Sequence, residues 1–175
     1  MKAKVLAVIV VAAFIIASEI GVWASWSEFK SSKGAFSIML PGTPMEQTQS
    51  ANTAVGVIEA HLFTLKQDDA IRTVGYTDYP ASFMKSNSPK KLLDDSRDSA
   101  INNMGAKLLK DLPISLGKYT GREIQAESSD GKMVVRARTF IVKNRVYTVQ
   151  VVTYKKNFSS TANAQYFDSF KIIDQ

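Results

Sequence analysis

The sequence predicts an α+β fold, a mostly antiparallel β-sheet flanked by helices and preceded by an N-terminal segment for export. Three observations lead to it. The β-rich runs are short, and several are joined by turns of two to four residues, which makes them antiparallel neighbours. The elements run as strands, one long amphipathic helix, strands and a short helix, unlike the strand–helix alternation of a parallel sheet. The chain also opens on a positively charged end followed by a short apolar run.

That opening is the first element. Lys2 and Lys4 precede an unbroken apolar run of 13 residues, Val5 to Ala17, and Val22-Trp23-Ala24 ends in the small residues of a signal cleavage site. The run is shorter than the roughly 20 residues that a membrane-crossing helix needs. Two readings stay open: a signal peptide removed after Ala24, or an uncleaved anchor lengthened by Ile20, Val22 and Trp23. Both carry the bulk of the chain out of the cytoplasm, to a periplasm, a lumen or the medium. Residues 25–175 then form one domain of 151 residues, long enough to bury a core without a metal or disulfide staple. The absence of cysteine excludes thiol nucleophiles, thiolate metal sites and lipid attachment through an N-terminal cysteine.

Trp26 and Phe29 make an N-terminal arm that packs on the core. Ala35–Leu40 reads as a short strand stopped by Pro41-Gly42-Thr43-Pro44. The β-formers from Thr53 to Leu65 and from Ala70 to Tyr79, turned at Asp68-Asp69, read as a hairpin. Ser88 as N-cap and Pro89 at the first helical position open the long helix. Its apolar stripe runs through Leu92, Leu93, Ser96, Ala100, Met104, Leu108 and Leu109 to an end at Asp111-Leu112-Pro113. Three strands follow: Ile114–Ala126, bent or split at Gly117 or Gly121, then Lys132–Val142 and Val146–Tyr154. A short helix over Ser160–Phe167 and an extended Phe170–Ile173 close the chain.

Phe36-Ser37-Ile38-Met39-Leu40-Pro41-Gly42-Thr43-Pro44, after an aromatic arm, resembles the opening of bacterial PsbP-like proteins. Gly121-Arg122-Glu123, Arg145-Val146-Tyr147 and Phe167-Asp168-Ser169-Phe170-Lys171 fit the same pattern, across nearly all of residues 25–175. The resemblance implies an αβα sandwich around a central antiparallel sheet. It also implies docking on other macromolecules rather than a shared reaction, and it carries over no residue-level functional motif.

The residues themselves point the same way. His61 is the only histidine, it lies in a strand beside Phe63, and no Gly-x-Ser-x-Gly turn accompanies it. Asp94, Asp95 and Asp98 offer too few oxygens for a hard cation and read as a solvated helix face compensated by Lys90, Lys91 and Arg97. No Gly-x-Gly-x-x-Gly or Gly-Lys-Ser/Thr loop is present. The sequence therefore predicts no catalytic residue, no cofactor and no metal.

Charge supplies the one candidate surface. The chain counts 22 Lys+Arg against 16 Asp+Glu, and no acid falls between Asp130 and Asp168, where Lys132, Arg136, Arg138, Lys143, Arg145, Lys155 and Lys156 lie. With Lys143-Asn144 as a two-residue turn, Val142 opposes Arg145, Phe140 opposes Tyr147 and Arg138 opposes Val149. Arg136, Arg138, Phe140, Arg145 and Tyr147 then share one face of the hairpin. Arginines beside aromatics are what interfaces favour, so this face is the candidate partner-binding surface. Its partner would be a protein of a membrane or envelope complex, or an anionic membrane surface. Nucleic acid is not expected outside the cytoplasm. A solvated sheet face is the plain alternative.

The expected function is a non-catalytic exported binding or assembly module. Its competitors are a small exported hydrolase using Asp68, Asp69 or Glu123 as an acid/base pair, and a membrane-tethered structural protein. The sequence leaves the oligomeric state open. On the docking reading, reversing Arg136, Arg138 and Arg145 to Glu abolishes partner capture and leaves the melting temperature nearly unchanged.

Overall fold

A computed structural model describes residues 25–53 and 56–173; the segment 1–24, read as a signal or anchor, lies outside them. The elements follow in the order β1 (Ser27–Ser31), β2 (Phe36–Leu40), β3 (Met45–Thr53), β4 (Gly56–Lys66), β5 (Ala70–Asp78), α1 (Ala81–Ser86), α2 (Pro89–Met104), β6 (Lys107–Leu116), β7 (Tyr119–Glu127), β8 (Met133–Val142), β9 (Arg145–Tyr154), α3 (Thr161–Asp168) and β10 (Lys171–Ile172). A 3-10 turn, Lys155–Asn157, links β9 to α3.

The strands form two antiparallel sheets. The larger has seven strands in the order β3-β4-β5-β9-β8-β7-β6, and the smaller has three in the order β1-β2-β10. One row of residues crosses the large sheet on a single face: Thr48, His61, Tyr76, Tyr147, Phe140, Gly121 and Ile114. That face receives the small sheet and α3. Phe36, Ile38 and Leu40 from β2 meet Phe63, Val74, Tyr147, Val149 and Val151, with Tyr166, Phe167 and Phe170 sealing the side. The opposite face receives α2, through Leu92 and Leu93 on Ile141 and through Ala100 on Ile124 and Ala137. The structure is thus α+β as expected, but a small sheet shares one face with α3, which the sequence did not separate from the main sheet.

Local sequence explains most boundaries. The Ser88 hydroxyl accepts from the Lys91 N–H at 3.2 Å, with Pro89 at the first helical position, as an N-cap should. Ser160 caps α3 the same way through Asn163 N–H. The far end of α2 corrects the expectation. Gly105 takes φ 55° and ends the helix, so Leu108, Leu109 and Pro113 lie in β6 instead. Pro113 is tolerated because β6 is an edge strand, where a missing N–H leaves no ladder bond broken. The run from Ile114, read as bent or split at Gly117 or Gly121, splits at Gly117, φ 57°, into β6 and β7. Three further elements lie outside the sequence reading: the strand β1, read only as an arm, the polar edge strand β3 and the short helix α1.

Gly121 is required by packing. Phe140 lies over it, and a Cβ there would stand 2.5 Å from Phe140 Cδ1 and 2.6 Å from the Thr139 carbonyl oxygen. Because one obstacle is backbone, side-chain adjustment alone does not relieve it. Gly121→Ala should therefore destabilise the protein by about 1–3 kcal/mol, measured as a drop in urea midpoint with an unchanged m-value.

Candidate functional site

The β8–β9 turn falls at Lys143-Asn144, and the register pairs Val142 with Arg145, Phe140 with Tyr147 and Arg138 with Val149. Arg136, Arg138, Phe140, Arg145 and Tyr147 therefore share a face, as alternation requires. That face is covered. Phe140 and Tyr147 are buried in the main core, and Phe170 stacks on Phe140 with ring centres 5.9 Å apart and packs on Tyr147 at 5.7 Å. The Tyr147 hydroxyl donates to the Gly34 carbonyl oxygen at 2.7 Å. Burial pushes its phenol up in pKa.

The arginines of the set each meet a carboxylate from outside the acid-free window. Arg136 Nη2 and Arg138 Nε both donate to Glu123 Oε2, at 2.7 and 2.8 Å. Arg138 also reaches Asp168 at 3.0 Å, and both guanidinium groups lie over the Phe167 ring. Glu123 is only 5 % exposed. Burial pushes its carboxyl up, but the hydrogen bonds and charges of Arg136 and Arg138 outweigh that and hold it below the usual glutamate range. Arg145 grips Asp78 through two bonds of 2.6 Å, donates to the Lys33 carbonyl oxygen at 3.1 Å and lies over Tyr76. The Asp78 hydrogen bonds raise its pKa.

Phe170 divides the predicted set between two openings. Arg138 and Phe140 line a groove of about 270 Å³ with Ile114, Leu116 and Phe167, between the edge strand β6 and α3. Arg145 and Tyr147 line a cleft of about 370 Å³ with Ala35, Tyr119, Lys143 and Ile172, at the end where the β8–β9 turn lies. Arg136 stays with Glu123. On the same face of β6 as Ile114 and Leu116, Leu112 stands exposed opposite Glu123.

The carboxylates weighed for acid/base work do not converge. Asp69 binds Arg72, whose side chain is fully buried and also reaches Asn163 in the first turn of α3. Glu123 is reached through Arg138, which binds at the other end of α3, at Phe167 and Asp168; a helix of that length spans about 12 Å. Asp68 is exposed on the β4–β5 turn. Among the described residues no group of three His, Cys, Asp or Glu could hold a metal. His61 pairs with the Thr48 hydroxyl and stacks on Tyr76. Asp94 and Asp95 bind Lys90 and Lys91 as read. The sequence reading missed that Arg97 and Arg122 bridge Asp94 to Asp111, tying α2 to β6 and β7.

With this geometry in place, known structures can be compared. The solution structure of cyanobacterial PsbP (CyanoP) from Synechocystis sp. PCC 6803 matches with a TM-score of 0.61 at 14% identity, over 90% of this chain and 97% of that one. The chain has a PsbP-like fold. A Pseudomonas aeruginosa protein of unknown function matches at a TM-score of 0.43 and 8% identity, over 79% of this chain and 90% of that one, too distant to bear on the argument. No family profile and no curated protein matches the sequence.

Within the PsbP-like fold, the Glu123 clamp changes what charge reversal would do. Glutamates at 136 and 138 would stand beside a buried carboxylate with no counter-ion, so the melting temperature cannot stay unchanged as the sequence suggested. Arg136→Glu with Arg138→Glu should destabilise the protein by about 3–5 kcal/mol, read in a thermal melt. The clamp also sets a pH dependence. A carboxyl whose folded pKa is lowered contributes stability that is complete above its unfolded value, about 4.3, and is lost as pH falls through the folded value. Glu123→Gln should therefore be less stable near neutral pH and lose less than wild type between about pH 5 and about pH 2, measured by urea denaturation across that range.

Proposed function

We propose that the chain is an exported, non-catalytic accessory module that docks on a protein of a membrane or envelope complex. Residues 1–24 direct it out of the cytoplasm, and residues 25–175 form one domain. Its layers read as an αβα sandwich in which the three-stranded sheet completes the α3 layer. The observation that carries docking is the groove between β6 and α3. Ile114, Leu116, Phe140 and Phe167 give it an apolar floor and walls, and Arg138 and Asp168 give it a charged rim. Leu112, on the same face as Ile114 and Leu116, extends the apolar character along the exposed strand β6. An aromatic and aliphatic pocket with arginine at its edge is the composition of an interface hot spot.

The non-catalytic half of the reading rests on the Glu123 clamp. A general acid needs a carboxyl raised toward neutrality, and Glu123 is held low between two arginines. Among the described residues no helix is long and apolar enough to cross a membrane. On this reading, attachment to a membrane runs through residues 1–24 or through the partner.

The test is affinity capture of the tagged full chain, expressed with its own N-terminal segment, from an envelope fraction, with mass spectrometry of what is retained. Leu112→Gln combined with Ser115→Asp alters the groove rim at exposed positions and should keep the fold. A membrane complex retained by wild type and reduced about tenfold or more by that variant supports docking. An empty capture, together with hydrolase turnover that Glu123→Gln or Asp69→Asn abolishes, reverses the assignment.

A further inference from the structure

The second opening lies at the tip of the β8–β9 hairpin. Among the described residues, only Ala35 (φ 52°) and Lys143 (φ 56°) adopt a positive φ without being glycine, and both line this cleft. At Lys143 the two-residue β8–β9 turn calls for that conformation, and contact of the Cβ with the backbone makes a side chain there unfavourable. Lys143 is exposed, so no core contact compensates it.

Among the described residues, the cations around the cleft are in excess. Lys143 and Arg145 line it, the Lys118 ammonium stands 5.3 Å from the ring centre of Tyr119, which forms one wall, and Lys33 lies in the turn whose carbonyl Arg145 holds. Asp78 is the acid in the lining, and Arg145 already neutralises it. Among the described residues, no carboxylate pairs with Lys33, Lys118 or Lys143. A guanidinium has five N–H donors, and the bonds of Arg145 to Asp78 and Lys33 engage three of them. The Tyr147 side chain also hydrogen-bonds Arg145, which leaves at most one N–H for a ligand.

We infer that this cleft binds a phosphate group carried by a small molecule or a lipid headgroup, held by Lys143 and Arg145 with Lys118 at the rim. A positive surplus of more than one charge suits a phosphate better than a single carboxylate. The opening, about 370 Å³, falls in the size range of small-ligand sites. Tyr119 and Ile172 supply apolar walls for the organic part. This site is separate from the β6–α3 groove, so it stands or falls independently of docking there.

Lys143 makes the inference testable, because binding and backbone strain have opposite demands on it. Inorganic phosphate titrated into the full-length protein should give saturable shifts of the amides of residues 33–35, 118–119 and 143–145 in NMR spectra. Lys143→Gln should weaken that binding about tenfold or more. Lys143→Gly should weaken it equally while raising the melting temperature by roughly 2–4 °C, since glycine adopts positive φ freely. Lys132→Gln, at the other end of β8, should change neither. Co-sedimentation with phosphatidylglycerol vesicles, against phosphatidylcholine alone, distinguishes the sources. Sedimentation that requires Lys143 assigns a lipid headgroup, and saturable phosphate binding without sedimentation assigns a soluble phosphorylated ligand. Shifts that stay linear in phosphate, or binding that survives Lys143→Gln, overturn the inference.

Discussion

The contact on which the rest depends is the packing of Phe36 and Phe170 against each other, with ring centres 5.9 Å apart, on the inner face of the seven-stranded sheet. A sheet of that width has an apolar face that must be removed from water. Here the cover is assembled from both ends of the described chain: β1 and β2 from one, α3 and β10 from the other. Phe36 is fully buried and also meets Phe63 and Tyr147, while Phe170 stacks on Phe140. The five rings form one continuous aromatic layer between the sheets. Their edge-to-face and offset contacts each add about 0.5–1.5 kcal/mol beyond the area they bury.

Around that layer, arginines fasten cover to sheet. Arg72 joins the β4–β5 turn to α3 and lies over Trp26 of the N-terminal arm. Arg138 joins Glu123 to the end of α3, and Arg145 joins Asp78 to the β1–β2 turn. On the other face Arg97 and Arg122 hold α2 against β6 and β7. The planar guanidinium fork suits this task better than lysine, because one side chain can meet two acceptors from different elements in fixed directions. The lysines of the described residues are all exposed instead.

Much of the architecture was legible in local sequence, and the failures have physical causes. The β8–β9 register could be read because a two-residue turn leaves no freedom once the alternation is known. The N-cap Ser88 could be read for the same reason: short-range chemistry decides it. The strand β3 could not, because Met45–Asn52 lies exposed at a sheet edge and shows no alternation of apolar residues. Leu108 and Leu109 continued the helical spacing past Gly105, and nothing local revealed that the glycine had turned left-handed. The candidate surface was half legible. The sequence showed five residues on one face but hid what covers it, since Phe170, Glu123 and Asp78 come from other elements. An acid-free window looked one-sided only along the chain.

The pairing of β2 with β10 also bears on when this protein can fold. Lys171 pairs with Ser37 and Ile172 with Phe36, contacts that span most of the chain. Loop closure over such a distance is slow and is rewarded only once both partners are present. A chain that emerges N-terminus first, from a ribosome or from a translocation pore, cannot complete its aromatic layer until the last residues arrive. Until then β2 and the inner face of the large sheet lack their closing strand and the Phe170 ring. The fold therefore delays its own completion until β10 and the Phe170 ring are in place.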